Sequence, residues 1–399
     1  MKHVSRRGFL QAMGIGAGAV IGTRLAGSSM LGIAQAATPE PTSLVVVYLT
    51  GGFNAIFTGA DAFTNVAFGV TAGNSTALGG GVVIDNALAN AIPVGIRNQV
   101  ASVGIRHGIT DHGNAESSLF MSGNNSAPLM LADAMGGTGA IKAAVVGANS
   151  LPNNVRPAPV NNVSLQPIND MKATIDAITG AQNAPNLADR AGMAKGFAAS
   201  KAMSKNALTK HPTSLASVDQ GLTSAIALVQ KPVQVFNQAE FTTAYSLNGT
   251  NVNSFAAQMA AAELMVRSGT NTVIAPDGFN WDSHGDSDGN NVRNQMTQRI
   301  APALKTFLTR MVMGAAAERN VVVAIMGDFH RSLPGSDHQG NLAALVIGKT
   351  LKNATTGKTD ANVAQPPNTP SIAGFWQLMG AATKTSVSPF GANPHAVLA

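Results

Sequence analysis

The chain of 399 residues contains no cysteine. Disulfide bonds, thiolate metal sites and cysteine nucleophiles are therefore excluded. Charged residues are also scarce, at 12% of the chain, so any segment in which they concentrate stands out. The hydrophobic content of 45% supports a sizeable core, and the length fits one large domain or two ordinary ones.

Two kinds of ligand-binding motif are missing. The glycine runs, such as residues 79–81, do not fit Gly-x-Gly-x-x-Gly between a strand and a helix, which disfavours a redox protein with a nucleotide cofactor. The acidic loop 277–288 fails the EF-hand spacing, because Ser287 stands where a glycine is needed. Tight turns capped by Asp and Asn are the alternative interpretation of that loop.

The N-terminus has the pattern of a twin-arginine export signal. Arg6 and Arg7 lie in Ser-Arg-Arg-Gly-Phe-Leu, and Ala-Gln-Ala at 34–36 offers a cleavage site. The apolar stretch between them contains Arg24 and six glycines, which disfavours a transmembrane anchor. We predict a signal peptide over residues 1–36, export by the Tat translocase to the periplasm or the extracellular space, and no stable membrane span after cleavage.

The basic charge of the chain belongs largely to this signal. Residues 1–36 hold four basic residues and no acidic one, so cleavage lowers the formal net charge from +6 to +2. Nothing in the remaining sequence indicates nucleic acid binding.

Apolar runs with the length of buried strands recur along the rest of the chain, at 44–49, 141–146, 272–275, 321–326 and 342–347. Helical patterns cover 254–267, 292–318 and 371–382. The order strand, helix, strand predicts an α/β fold with a mostly parallel sheet. We predict one domain over residues 37–399, with a loop-rich segment at 55–100 containing one short helix and a helical insert around 183–213.

Polar side chains concentrate directly after the predicted strands. Five of the eight histidines lie there, and the same segments supply four carboxylates: His107, His112, His284, His330 and His338, with Asp111, Asp282, Asp328 and Asp337. In open α/β sheets the carboxyl ends of the strands are where ligands bind. Imidazole and carboxylate suit zinc or manganese, with calcium as an alternative, and such ions can clamp an anion and activate an oxygen nucleophile.

The order of motifs resembles a known family. The segments that carry it are Gly51-Gly52-Phe53-Asn54, residues 114–120, Trp281-Asp282-Ser283-His284, and Asp328-Phe329-His330-Arg331 followed by Asp337-His338. They resemble the Tat-exported, sulfatase-like proteins of a family of unknown function, distant members of the alkaline phosphatase superfamily. The resemblance covers nearly the whole chain after the signal. It implies an alkaline-phosphatase/sulfatase-like three-layer α/β/α sandwich around a mostly parallel sheet.

The resemblance also implies roles for individual residues. One divalent metal would be held by Asp282, His284 and His338, and a second by Asp328, Asn54 and His330. The nucleophile would be Ser117, activated by the metal; Arg331 would neutralise the anionic oxygens of the substrate, and His112 would act as general acid.

One departure from the family pattern affects the expected chemistry. Asn54 stands where the family has Asp, and a carboxamide is a weaker metal ligand than a carboxylate. Two functions therefore stay open at this point. The first is a secreted, metal-dependent hydrolase of phosphate or sulfate esters, acting on a small molecule or a polymer. The second is a non-catalytic secreted binding or envelope-assembly protein with a degenerate metal site.

Overall fold

The computed structural model describes residues 41–59, 70–137, 139–147, 159–179, 187–210, 222, 226, 237–314, 319–331, 338–359 and 363–399. The predicted signal peptide and Asp337 lie outside the described residues. Contacts divide the chain into two compact units, one of residues 1–38 and 179–235, the other of residues 39–178 and 236–399. In the described part of the chain, no helix has the length and apolar character needed to cross a membrane.

The strands of the second unit are β1 Thr42–Leu49, β2 Phe53–Asn54, β3 Ser75–Gly79, β4 Val82–Asp85, β5 Val100–Arg106, β6 Met121–Ser122, β7 Asn125–Ser126, β8 Ala143–Val146, β9 Leu165–Ile168, β10 Thr272–Asp277, β11 Asn320–Met326, β12 His330–Arg331, β13 Asn341–Ile347 and β14 Ala354–Thr355. The described helices of both units are α1 Asn86–Ala89, α2 His112–Leu119, α3 Ala127–Ala134, α4 Met171–Thr179, α5 Leu187–Met203, α6 Lys205–Lys210, α7 Gln238–Ala244, α8 Phe255–Arg267, α9 Asn290–Gln295, α10 Ala301–Phe307 and α11 Ile372–Ala382. Of these, α5 and α6 belong to the first unit. Short 3₁₀ helices cover Ala55–Phe57 and Val94–Gln99, and π-helical turns at Met296–Ile300 and Leu308–Met313 continue α9 and α10.

The second unit is built on an eight-stranded sheet in the order β14-β5-β13-β11-β1-β10-β8-β9. Strand β1 lies near the middle and pairs in parallel with β10 on one side and β11 on the other. Only β13, among the strands of this sheet, runs against its neighbours. The carboxyl ends of β1, β5, β10 and β11 therefore meet at one edge, and the segment that enters β13 starts from that same edge.

Helices cover both faces of this sheet. Along β1 the side chains alternate: Val45, Val47 and Leu49 pack into one core, and the intervening residues, from Leu44 to Tyr48, pack into the other. Helices α8 and α10 contribute to the first core, and α2, α3 and α11 to the second. This arrangement confirms the predicted three-layer α/β/α sandwich with a mostly parallel sheet.

Individual elements match the sequence prediction unequally. Helix α8 begins at the predicted cap, where the Ser254 hydroxyl accepts a hydrogen bond from the Ala257 N–H at 3.3 Å. The prediction of a loop with one short helix at 55–100 is wrong, because β3 and β4 form an antiparallel hairpin there. The glycine run that suggested a loop is the turn of this hairpin: residues 79–81 all have positive φ.

Candidate active site

The guanidinium of Arg331 lies at the centre of the polar edge, and its side chain is 0% exposed. Its Nε donates to the Gly51 carbonyl at 3.0 Å. Nη2 lies 3.3 Å from Nε2 of His112 and 3.4 Å from Oδ1 of Asp282. Nη1 lies 3.1 Å from Nδ1 and 3.2 Å from Nε2 of His284. Acceptors from three segments of the chain therefore surround one buried cation.

Asp328 holds His112 on one side of this cation. The carboxylate is fully buried just after β11, and its Oδ1 accepts from the Gly52 N–H at 2.7 Å. Its Oδ2 lies 2.5 Å from Nδ1 of His112, the first residue of α2. We assign the Nδ1 proton to this bond, so that His112 Nε2 accepts from Arg331.

A second carboxylate–imidazole pair lies on the other side. Nδ1 of His284 is hydrogen-bonded to Asp282, whose Oδ1 also accepts from the His284 backbone N–H at 2.9 Å. The loop that carries this pair is anchored by the buried indole of Trp281, which donates to Asp277 at 3.2 Å. The Trp281 backbone N–H also donates to the Thr50 carbonyl at 2.9 Å, which ties the loop to the end of β1.

His338 completes a group of three imidazoles. Its Nδ1 lies 2.6 Å from the Thr110 carbonyl and donates to it, which leaves Nε2 as the unprotonated nitrogen. Its ring stacks on Phe329 with the centroids 4.5 Å apart, and lies 4.8 Å from the ring of His112 and 5.6 Å from that of His284. The segment before β13 thus contributes to the same edge as the segments after β1, β5, β10 and β11.

The surroundings shift the pKa values of these groups. The hydrogen bond to Asp328 raises the pKa of His112, although partial burial acts against it. Partial burial alone would raise the pKa of Asp282, but hydrogen bonds from His284 and the charge of Arg331 bring it below its usual value. Burial lowers the pKa of Arg331, and Asp282 and Asp328 oppose this effect. His112 therefore keeps its proton to a higher pH than an ordinary histidine.

Glu116 supports the site and received no role from the sequence. Its carboxylate is hydrogen-bonded to the Thr50 hydroxyl, which fixes α2 to the end of β1. Burial raises the pKa of Glu116, and the nearby Asp328 adds to the effect. The available signal was the spacing: Glu116 follows His112 by four residues, so the two lie on one face of a helix.

His330, a predicted metal ligand, points away from the cluster. Neighbouring residues of a strand face opposite sides, so Arg331 faces the site and His330 faces the interior. Its Nε2 accepts from the Ala343 N–H at 2.8 Å and lies 3.2 Å from the Thr58 hydroxyl. Burial lowers its pKa to about 3, which keeps the ring neutral. The structure therefore corrects the prediction that His330 binds metal.

Asn54, the other weak ligand, is also used elsewhere. It is buried, and its Oδ1 accepts from the Ile56 N–H at 3.1 Å, where it caps the 3₁₀ helix that follows. Its Nδ2 lies 3.5 Å from the Ser283 hydroxyl. The side-chain oxygen that a metal would need serves as a helix cap, so the structure also corrects this prediction.

Ser117, the predicted nucleophile, is on the wrong face of α2. Its hydroxyl donates to the Gly113 carbonyl at 2.6 Å, one turn back in the same helix. Successive helical residues are about 100° apart, so Ser117 is rotated by roughly 140° from His112, which faces Arg331. Ser117 is therefore not oriented toward a group bound at the cluster.

The remaining predicted ligands do converge, but they do not fit a metal ion. Asp282, His284, Asp328 and His338 all lie at this edge, yet within the described ranges no three His, Asp or Glu side chains could hold one ion. The physical reason is that their donor atoms already have partners. Asp328 accepts from the N–H groups of Gly52 and Phe329 and is hydrogen-bonded to His112. The guanidinium of Arg331 lies among the donors of Asp282 and His284. The acidic residues further along the 277–288 loop cap turns, as Asp286 does for α9.

No known family model matches the chain, and no curated protein sequence matches it. Among solved structures, it is similar to alkaline phosphatase from the Antarctic bacterium TAB5, with 10% identity, a TM-score of 0.34, and coverage of 87% of this chain and 99% of that one. It is also similar to the lipoteichoic acid synthase LtaP from Listeria monocytogenes, with 8% identity, a TM-score of 0.31, and coverage of 84% and 74%. Because both TM-scores are low, function has to be inferred from the site itself.

Proposed function

We propose that the chain hydrolyses phosphate or sulfate esters at the carboxyl edge of the sheet. One observation carries this proposal: three imidazoles, two with carboxylate partners, converge over a buried guanidinium. The side chains of His112 and His284 are 39% and 57% exposed, so a ligand can reach them from solvent. Of the two carboxylates, Asp328 is buried, whereas Asp282 is 37% exposed and hydrogen-bonded to His284.

The edge combines the cation of Arg331 with the carboxylates of Asp282 and Asp328. Protonated imidazoles add positive charge and would draw an anionic substrate to this edge. Because the guanidinium is buried, water screens its charge less than that of an exposed cation, and it acts more strongly on a bound anion. The ester group would bind above the guanidinium, between the rings of His112, His284 and His338.

The hydrogen bonds of the histidines suggest their roles. His338 offers the unprotonated Nε2, which takes a proton from water as the water oxygen attacks phosphorus or sulfur. The bond to the ester oxygen breaks, and that oxygen receives a proton from the imidazolium form of His112, in which Nε2 carries a second proton and no longer accepts from Arg331. The hydrogen bond to Asp328 raises the pKa of His112 and so favours this form. His284, held by Asp282, positions the anionic group.

The direct test is turnover of para-nitrophenyl phosphate and para-nitrophenyl sulfate by the signal-processed protein. We expect His338→Ala to lower the rate about 10²–10⁴-fold, the usual contribution of general acid–base catalysis. Asp288→Asn is the control, because Asp288 lies in the polar loop that carries His284 and caps a turn there by accepting from the Asn290 N–H. Equal rates for His338→Ala and wild type would mean that His338 takes no part in the reaction.

The same assay separates the alternative functions. The family resemblance implies a zinc or manganese enzyme, so turnover should be followed after dialysis against chelator and after metal is added back. Activity that depends on added metal would restore the metal-dependent mechanism. Binding of phosphate or sulfate without turnover of either ester would instead favour a non-catalytic secreted binding or envelope-assembly protein.

We also propose that the protein is exported folded by the Tat translocase. The twin arginines at 6 and 7 and the cleavage site at 34–36 support this. Replacing both arginines by lysine should keep the precursor in the cytoplasm, because Tat signals are recognised through the arginine pair. Fractionation of cells that produce wild type or the double variant shows where each protein is located. Normal export of the double variant would exclude this route.

A further inference from the structure

The acceptors around Arg331 have an unusual composition for the partners of an arginine. Among the described residues, imidazole nitrogens of His112 and His284 and a carboxylate oxygen of Asp282 lie between 3.1 and 3.4 Å from Nη1 or Nη2. Two imidazoles and one carboxylate are an ordinary ligand set for a divalent metal. Here they surround a guanidinium instead.

We infer that the guanidinium of Arg331 takes the place of a divalent cation among His112, His284 and Asp282. This goes beyond the proposed ester hydrolysis and does not depend on turnover. The side chain is a fixed part of the fold: it is 0% exposed, and its Nε is held by the Gly51 carbonyl at 3.0 Å. The cluster therefore carries its own positive charge, covalently attached to the chain.

The partners on the outer side of the cluster support this inference. His112 gives its Nδ1 to Asp328, and His284 gives its Nδ1 to Asp282. A second hydrogen bond of this kind orients metal-bound histidines. Here Nε2 of His112 lies 3.3 Å from Nη2 of Arg331, and Nδ1 and Nε2 of His284 lie 3.1 and 3.2 Å from Nη1. The donors are thus prepared for a cation, and the chain supplies it.

Two consequences follow for metal binding. In wild type a divalent ion would have to displace the guanidinium or lie beside it, where like charges repel. In Arg331→Ala the same three donors would lose this cation and face the space that the guanidinium occupied. Removal of the arginine should therefore create a metal site where wild type has none.

The test is equilibrium dialysis of the full, signal-processed chain against Zn²⁺ or Co²⁺, followed by elemental analysis. We expect wild type to hold well below one equivalent at this cluster. Arg331→Ala should hold about one equivalent, with a Co²⁺ visible spectrum typical of nitrogen and oxygen ligands. The double variant Arg331→Ala with His284→Ala should lose that ion and its spectrum.

Two results would overturn the inference. If wild type holds a tightly bound ion and His284→Ala does not, a metal ion displaces the guanidinium. If folded Arg331→Ala holds no ion, the three donors do not form a ligand set. Circular dichroism shows whether Arg331→Ala folds. If it does not fold, Arg331→Gln replaces it, because glutamine keeps a planar polar side chain without the charge. The metal content of Arg331→Gln and of wild type then decides the question.

Discussion

Replacing Arg331 by methionine should lower the free energy of unfolding by about 1–3 kcal/mol, the usual effect of leaving buried hydrogen-bonding groups without a partner. The methionine fills much of the volume but donates no hydrogen bond. Nε2 of His112 and the Gly51 carbonyl would lose their donor, and Asp282 would lose its neighbouring cation. Urea denaturation followed by fluorescence of the buried tryptophans measures the change.

Two further variants make this result specific. Lys172→Met removes a cation from an exposed pair with Asp176 and should leave the urea midpoint unchanged. Arg331→Lys keeps the charge but replaces a planar fork by a single ammonium, so it should fall between wild type and Arg331→Met. If Arg331→Met costs no more than Lys172→Met, the guanidinium is not an organising element of the site.

The convergence of the polar segments could be predicted from the sequence because it depends on topology alone. Strands that run in parallel bring their carboxyl ends to one edge, whatever the side chains do afterwards. Four of the predicted site residues come shortly after a predicted strand or before one, and all four reach this edge: Asp282, His284, Asp328 and His338.

The direction of individual side chains could not be predicted in the same way. Whether His330 or Arg331 faces the site depends on a two-residue strand, β12, that pairs with β2. Strand pairing alternates the faces, but so short a strand leaves no periodic pattern in the sequence. Ser117 was assigned by motif, although its distance from His112 along α2 already placed it on another face.

The central position of Arg331 also had no sequence signal. Arginine in a motif suggests an exposed group that meets the substrate, and the family resemblance implied that role. The packing gives it a buried position instead, because the guanidinium lies beneath the imidazoles and donates to backbone at the end of β1, from where its charge would act on a bound anion. The reason that it can lie there is found in Gly52 of that turn.

Gly52→Ala should therefore disrupt the site, although the substitution adds only one methyl group. Gly52 has a φ of +86°, and a Cβ atom placed there would lie 2.1 Å from Nε and 2.8 Å from Cδ of Arg331. The Gly52 N–H also donates to Asp328, so a shift of this turn would move both Arg331 and the Asp328–His112 pair. A displacement of about 1 Å can lower the rate about 10²-fold.

The matched control is Gly136→Ala. Gly136 has a similar φ of +70°, but a Cβ atom there would meet nothing within 4 Å. This variant should show only the backbone penalty of about 1–2 kcal/mol in unfolding free energy, with ester turnover unchanged. Gly52→Ala should show that penalty in unfolding free energy and should also lose ester turnover. Equal effects of the two substitutions would mean that position 52 needs glycine for its backbone conformation alone, and that close approach to Arg331 does not constrain it.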